Sequence, residues 1–418
     1  MSGPPVTPSP DKNSGNVASK AQPFLIVSAD AQSGRAFTGL AEAIDQAQDG
    51  ETIEIHGHGP YLCQPLDIVD KRLRIRAAAG FRPVLELQQG AIQSASPLLR
   101  TNQRLVLEGI VLQRLAQGPA GSWQPRNALL KADRCELWIA HCRFVFNQRL
   151  CGIRAEHSQL CRIRNCEFIT TSGVSVGSDH ASQGRLFLHN NVMTGDSALL
   201  SEFHARDVEK ALVVFSGNTI FSRDGIELVL YSRPADASLP GGALSGLIQY
   251  QVRDTVFRVE QSLVRVEQAG ELARLGEHLS PRIRGWLPSV MDWDGEENYY
   301  DIGRQYVRVT LQGNPAPVRL MTRDLADWQG LWTESDVDSA SGQVELTESG
   351  LLDTIADSPG QVRPSQFQLT APQPNSAADH PRGADVSQVG PEKPYQQWRK
   401  TPEYLQWQRA SGFEMPNP

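Results

Sequence analysis

The sequence predicts an all-β solenoid, a coil whose short strands stack in parallel. Three observations predict it. The first is a returning phrase: an apolar strand, a small or amide residue, then another apolar pair. It reads Leu105-Val-Leu-Glu-Gly109-Ile-Val, Leu137-Trp-Ile-Ala-His-Cys142-Arg-Phe and Cys161-Arg-Ile-Arg-Asn-Cys166-Glu-Phe. It continues as Leu186-Phe-Leu-His-Asn-Asn191-Val-Met, Leu212-Val-Val-Phe-Ser-Gly-Asn218-Thr-Ile and Tyr250-Gln-Val-Arg-Asp254-Thr-Val-Phe. The second is spacing: from Cys142 through Cys166 and Asn191 to Asn218 the gaps are 24, 25 and 27 residues, the period of a repeat array. The third is a second phrase in phase with the first. Gly173-Val-Ser-Val, Ala198-Leu-Leu-Ser and Gly225-Ile-Glu-Leu each begin seven residues after an anchor. Two strands at a constant offset make one turn of a coil, whose neighbours lie about 4.8 Å away. A leucine-rich repeat would show a regular Leu-x-x-Leu-x-Leu frame. A helical repeat would show a period near 3.6, whereas these segments alternate with period two. A β-sandwich leaves the constant offset unexplained.

The elements follow in order. Residues 1–22, rich in Pro, Ser, Gly and Lys, read as a disordered tail or linker. Phe24-Leu-Ile-Val opens the ordered part. Residues 37–47 read as a short amphipathic helix with Leu40, Ala41, Ile44 and Ala47 on its apolar face. Such a helix caps the open end of a solenoid, where strand edges and core would otherwise be exposed. Asp49-Gly50 ends it and Thr52-Ile-Glu-Ile starts the coils. Regular coils are expected over 23–285, irregular late coils with a short helix over 286–393, and a tail over 394–418. Asn165, Asn190, Asn191 and Asn218 fall at corners, where asparagine tolerates the left-handed conformation. In the tail, Tyr395, Trp398, Tyr404 and Trp407 with Arg399, Lys400 and Arg409 read as packing back onto the last turn or as a docking segment. Pro402 forbids one continuous helix there.

Composition is that of an ordinary folded chain, with 40% hydrophobic and 21% charged residues. The net charge of −7 and the lack of basic blocks argue against nucleic acid or an anionic membrane as partner. No stretch approaches the ~18 apolar residues of a membrane span, and the N-terminus lacks a secretory pattern, so the chain reads as cytoplasmic. The six cysteines show no Cys-x-x-Cys pair and read as buried thiols, with Cys142 and Cys166 stacked in neighbouring turns.

The run Leu40-Ala-Glu-Ala-Ile with Asp49-Gly-Glu-Thr-Ile-Glu-Ile resembles the opening of right-handed parallel β-helix proteins of the pectin-lyase-like group. Leu73-Arg-Ile-Arg-Ala and Pro83-Val-Leu resemble their next turn. Glu297-Asn-Tyr-Tyr, Asp324-Leu-Ala-Asp-Trp328, Asp338-Ser339 and Phe367-Gln-Leu-Thr are similar to their late turns. Pro374-Asn-Ser-Ala departs from that pattern. The resemblance covers roughly residues 24–391 and implies a single-stranded right-handed β-helix of about ten coils. His56-Gly-His-Gly-Pro-Tyr and Tyr395-Gln-Gln-Trp-Arg-Lys-Thr-Pro-Glu-Tyr resemble a β-helix segment found C-terminal in certain bacterial serine/threonine kinases. No Gly-rich loop, Val-Ala-Ile-Lys, His-Arg-Asp or Asp-Phe-Gly is in the sequence, so the resemblance implies an accessory body without the catalyst. Of the hydrolase motifs in the wider group only Gly57-His58-Gly59 is found, without its aspartates. The calcium-ligating acidic cluster of the lyases is not reproduced as a local motif.

Counting six residues past each start of the second phrase places Asp179, His204 and Tyr231 in one column, with Ser158 in the turn before. Glu202 and Glu227 lie close by, with His180 and Arg206 flanking. Such a column could exchange protons, or hold a sugar or a cation; the competing expectation is a polar edge where strands meet loops. Trp293 and Trp328, among Trp286, Tyr299, Tyr300 and Trp332, are candidates to stack on sugar rings, or else fill the core where coils become irregular. His56, His58 and Cys63 lack further ligands for a metal site. The expected function is a non-catalytic binding or sensor body for a glycan or protein partner. The alternatives are a polysaccharide lyase or hydrolase on acidic glycans, with calcium as its possible cofactor, and a structural spacer.

Overall fold

Each copy of the returning phrase becomes part of a coil of short strands. The computed structural model describes residues 25–28, 35–88, 96–115, 127–179, 184–204, 211–231, 248–269, 287–288, 290–311, 322, 324–332, 335–348, 350–370 and 382–413. Its strands form an 11-stranded and a 16-stranded sheet, and every pairing between them is parallel. This is a parallel, solenoid-like β architecture with three stacks of strands. The first stack is the 11-stranded sheet and includes Glu51–Ile55, Leu73–Ala77, Leu105–Glu108, Leu137–Ala140, Leu160–Arg164 and Arg185–His189. The second includes Val84–Leu87, Val111–Arg114, Arg143–Phe146 and Glu167–Thr170; the third includes Ala128–Asp133, Leu150–Glu156 and Gly173–Asp179. The long strands Val192–His204, Thr219–Tyr231 and Val256–Ala269 join the second stack to the third without a loop.

Alternation puts one side of every strand inside. Leu130, Ile153, Val176, Leu199, Ile226, Val264 and Val307 are register partners and all fully buried, an aliphatic column running up the third stack. Each contributes roughly 1.5–3 kcal/mol by leaving water. Phe144 and Phe168 stack at 4.8 Å in neighbouring coils.

The corner between the first and second stacks carries a polar ladder inside this core. The backbone N–H of Cys142 donates to Cys166 Sγ at 3.4 Å, that of Cys166 to Asn191 Oδ1 at 2.9 Å, and that of Asn191 to Asn218 Oδ1 at 3.0 Å. The ladder continues from Asn218 to Thr255, from Thr255 to Asn298, and from Asn298 to Ser339. Each side chain takes up an amide that the turning strand would otherwise leave unpaired. The residue before each rung turns left-handed: His141, Asn165, Asn190, Asp254, Glu297 and Asp338 have φ between 50° and 55°, and Gly217 has φ 61°. Asn165 and Asn190 therefore hold the corner conformation expected of them. Asn191 and Asn218 do not; they are the rungs. All six cysteines are buried free thiols.

Helix α1 (Leu40–Gln46) buries Leu40, Ala43 and Ile44; Ala41, expected inside, is exposed. The coils run on to Ala340–Ser341, which pairs with Tyr299–Ile302. Past that point the chain is not a further coil but a strap that runs back along the outside. Helix α2 (Leu325–Gln329) precedes it and buries Trp328. Helix α3 (Leu351–Asp357), Val362, Phe367 and Val389 cover Ile169, Val192, Phe221 and Val256 on the outer face of the second stack. The strap then crosses the corners in reverse order: Gly383 N donates to Asp254 O, Asp385 N to Asn190 Oδ1, and Gly390 N to Asn165 O.

It ends in α4 (Lys393–Trp398) and α5 (Pro402–Ser411), broken at Pro402 as expected. These helices pack on the first stack near the start of the coils, not on the last turn. Tyr395, Trp398, Tyr404, Trp407 and Phe413 cover Ala77, Val106, Trp138 and Ala140. Beneath them Glu108 is fully buried and accepts from Arg74 at 2.9 Å, Trp407 Nε1 at 3.0 Å, Tyr404 at 3.2 Å and Tyr395 at 3.3 Å. Among the described residues no helix is long and apolar enough to cross a membrane.

Candidate functional site

The outward face of the third stack gathers the acidic candidates because the aliphatic column fixes which residues point out. With Ile153, Val176, Leu199 and Ile226 inside, period two turns Arg154, Glu156, Asp179, Glu202, Glu227, Arg265 and Glu267 to the other side. Asp133, Glu156, Asp179 and Glu202 are consecutive register partners, a row of four carboxylates one strand spacing apart. The expected column is therefore corrected. Asp179 lies beside Glu202, while His204 stands two positions further on and pairs with Tyr231. Ser158 lies beyond the end of its strand and is not in the row. The count slipped because Gly173, at φ +113°, is a corner residue. Ser175, nine residues after Cys166, is the true neighbour of Ala198, seven after Asn191.

Like charges at one strand spacing repel, so the row must be neutralised. Arg154 does this. It sits 3.6 Å from Glu156 and forms an ion pair with Glu202, two coils on. To reach it, Arg154 lies across Gly177, where an added Cβ would come within 3.1 Å of Arg154 Cδ and 2.9 Å of Cys151 Sγ. Only glycine leaves that path open. Glu202 is buried and also accepts from the Tyr231 hydroxyl at 2.6 Å. Lys131 holds Glu156 at 2.8 Å, and His157 stands 3.8 Å from Asp179.

A second group lies in the adjacent coils. Arg265 reaches Asp224 at 3.7 Å and Glu227 at 3.9 Å, and pairs with Glu267. Ser197 donates to Glu227 at 3.3 Å. Burial pushes the Glu227 carboxyl up to about 7, against the pull of Arg265. Burial raises Asp224 as well, opposed by Arg265 and Arg223. A buried carboxyl poised near neutrality can carry a proton either way.

The other candidates part company with this face. His180 and Arg206 lie outside the described residues. Trp293 and Trp328 are 1% and 0% exposed, with ring centroids 5.0 Å apart in a T-shape. Trp328 Nε1 donates to Asp336 at 2.6 Å. They fill the interior and are not surfaces for a sugar ring, because the irregular late coils need large rings to close them. His56 accompanies Glu54 at 2.9 Å and lies tilted against Phe81, with ring centroids 5.8 Å apart. Among the described residues no three His, Cys, Asp or Glu side chains are placed to share a metal ion.

Sequence reasoning missed Arg154, Asp224 and Arg265. For Arg154 and Arg265 the signal was present, since each is a charged residue at an outward position of a strand whose inward neighbours are aliphatic; Asp224 shares the parity of the inward Ile226 and gave no such signal. No family model, curated protein or solved structure matches the chain.

Proposed function

We propose that the chain is a single-stranded right-handed β-helix that serves as a non-catalytic binding body, and that the ionic face of its third stack takes a glycan or protein partner. One observation carries the reading. Glu202, at the end of the carboxylate row, is held by both Arg154 and Tyr231, so the groups that would pass a proton to a substrate are engaged with each other. A row of carboxylates fixed by neighbouring cations suits recognition: it sets register and excludes partners of the wrong charge pattern. The resemblance to kinase-linked β-helix segments makes an accessory of a bacterial signalling kinase the natural setting for such a body.

A second reading has its own observation. Glu227, pushed up to about 7 beside Asp224, has the acidity of a general acid. In that reading the chain cleaves an acidic polysaccharide, and any calcium would belong to that activity. A glycan array beside a turnover screen on uronate polymers separates the two. Binding without turnover, weakened by E202Q, supports the binding body. Turnover abolished by E227Q or D179A overturns it in favour of the enzyme.

A further inference from the structure

Away from the third stack, the strap and the second stack enclose a cleft of about 720 Å³, within the size range of small-molecule sites. Its floor is the ion pair of Arg143 with Glu167 at 2.9 Å, whose side chains are 5% and 2% exposed. Arg143 also donates to the carbonyls of Pro359 and Gly360, at 3.3 and 3.2 Å, so it ties the strap to the strand beneath. Gly390 closes one side. It sits at φ +97°, and a Cβ there would collide with Glu167 Oε1, so the wall is fitted against the floor.

The charges above that floor are unequal. Five charged residues line the cleft: Arg82, Arg143 and Arg363 against Glu167 and Glu392. The floor pair satisfies itself. Arg82 meets Glu392 at 2.8 Å, but Glu392 is 62% exposed, and a pair so open to water holds weakly. Arg82 Nε is buried and has no acceptor among the described residues. Arg363 is exposed and makes no ion pair among the described residues. Two guanidinium groups thus face one cleft with donors to spare. Guanidinium forks match the paired oxygens of carboxylate and phosphate. Pro364, Pro391 and Pro394 line the same cleft and give the body of a ligand a stiff apolar side.

We infer that this cleft binds a small oxyanion ligand, carboxylate or phosphate, held by Arg82 and Arg363 above the Arg143–Glu167 floor. Glu392 then acts as a competitor that the anion displaces from Arg82. The inference uses none of the third-stack residues, so it stands or falls apart from the proposed function.

Isothermal titration of the full chain with citrate, with pyrophosphate and with an uncharged disaccharide tests it. One of the two anions binds, and the tighter arm tells carboxylate from phosphate. The disaccharide does not bind. R363Q and R82Q each weaken the anion by about 10-fold or more, since each removes a charge-assisted contact. E392Q tightens it, an effect that a merely structural role for this surface would not produce. R363Q alters an exposed side chain, so its melting temperature should match the wild type and its loss of binding can be read directly. Absence of anion binding at millimolar concentration, binding unchanged in both arginine variants, or equal binding of the disaccharide would overturn the inference.

Discussion

At the scale of single residues, the fold is decided at its corner ladder. Asn218 accepts from the backbone and the side chain of Asn191, both at 3.0 Å, and donates to Leu188 O at 2.8 Å, all inside the core. Asn218→Ala removes three hydrogen bonds and leaves two donors and a carbonyl unsatisfied. The expected loss is about 2–4 kcal/mol, seen as a lower midpoint in denaturant. These asparagines were visible in the sequence as corner residues, but not in their actual role. The phrase Asn-Asn at 190 and 191 does not say which residue turns left-handed and which points inward. Only the pairing with the coils on either side decides it.

The raised carboxyls add a pH dependence. Unfolded, Glu227 loses its proton near 4.5; folded, it loses it near 7. Between those values the folded chain keeps a proton that the unfolded chain has released, so stability falls as pH rises through the window. Glu167 at the floor of the cleft, raised to about 7 by burial, acts in the same direction. Each contributes a change of up to roughly 3 kcal/mol. Denaturant midpoints at pH 5 and pH 8 should show the drop, and Glu227→Gln should make it smaller. An equal drop in the variant would mean that the carboxyl titrates normally.

At the scale of elements, the strap is the part that sequence reading could not place. The strands announce themselves by period two, and α1 by its apolar face. The terminal helices also show their aromatics, but the partner of Trp407 is Glu108, 299 residues earlier. No local pattern carries that distance. What the helices cover is a buried charge pair, Glu108 with Arg74. Glu108→Ala would leave Arg74 buried without a counter-charge, at a cost of about 3–5 kcal/mol. Undocking α4 and α5 lets Arg74 reach water, so the variant should open there first. Arg399 and Lys400, in the turn between the two helices, are then cut by trypsin. The expected rate is on the order of 10-fold or more above the wild type, read from the release of the terminal peptide. Unchanged cleavage would mean that the docking does not depend on this pair.

At the scale of the whole molecule, the period of about two dozen residues makes distant positions into vertical neighbours. That much was legible, because a repeated phrase with a buried anchor needs only a self-comparison. The candidate face was legible in its residues and not in its register. Asp179, Glu202, Glu227 and Tyr231 do share the outside of one stack, but a two-residue difference in corner length put His204 where Glu202 belongs. Arg154 was visible as an outward charge, but its pairing with Glu202 was not, because the ion pair spans two coils.

The stacking itself can be measured. Arg100 and Arg308 occupy one outward column of the third stack, seven strand spacings apart by register, which is about 34 Å. Spin labels on cysteines placed at those two positions, with the native cysteines replaced, report the span by dipolar spectroscopy. The account predicts one narrow distance distribution near that value. A broad distribution, or a distance differing by three or more strand spacings, would contradict in-phase stacking and with it the assembled face.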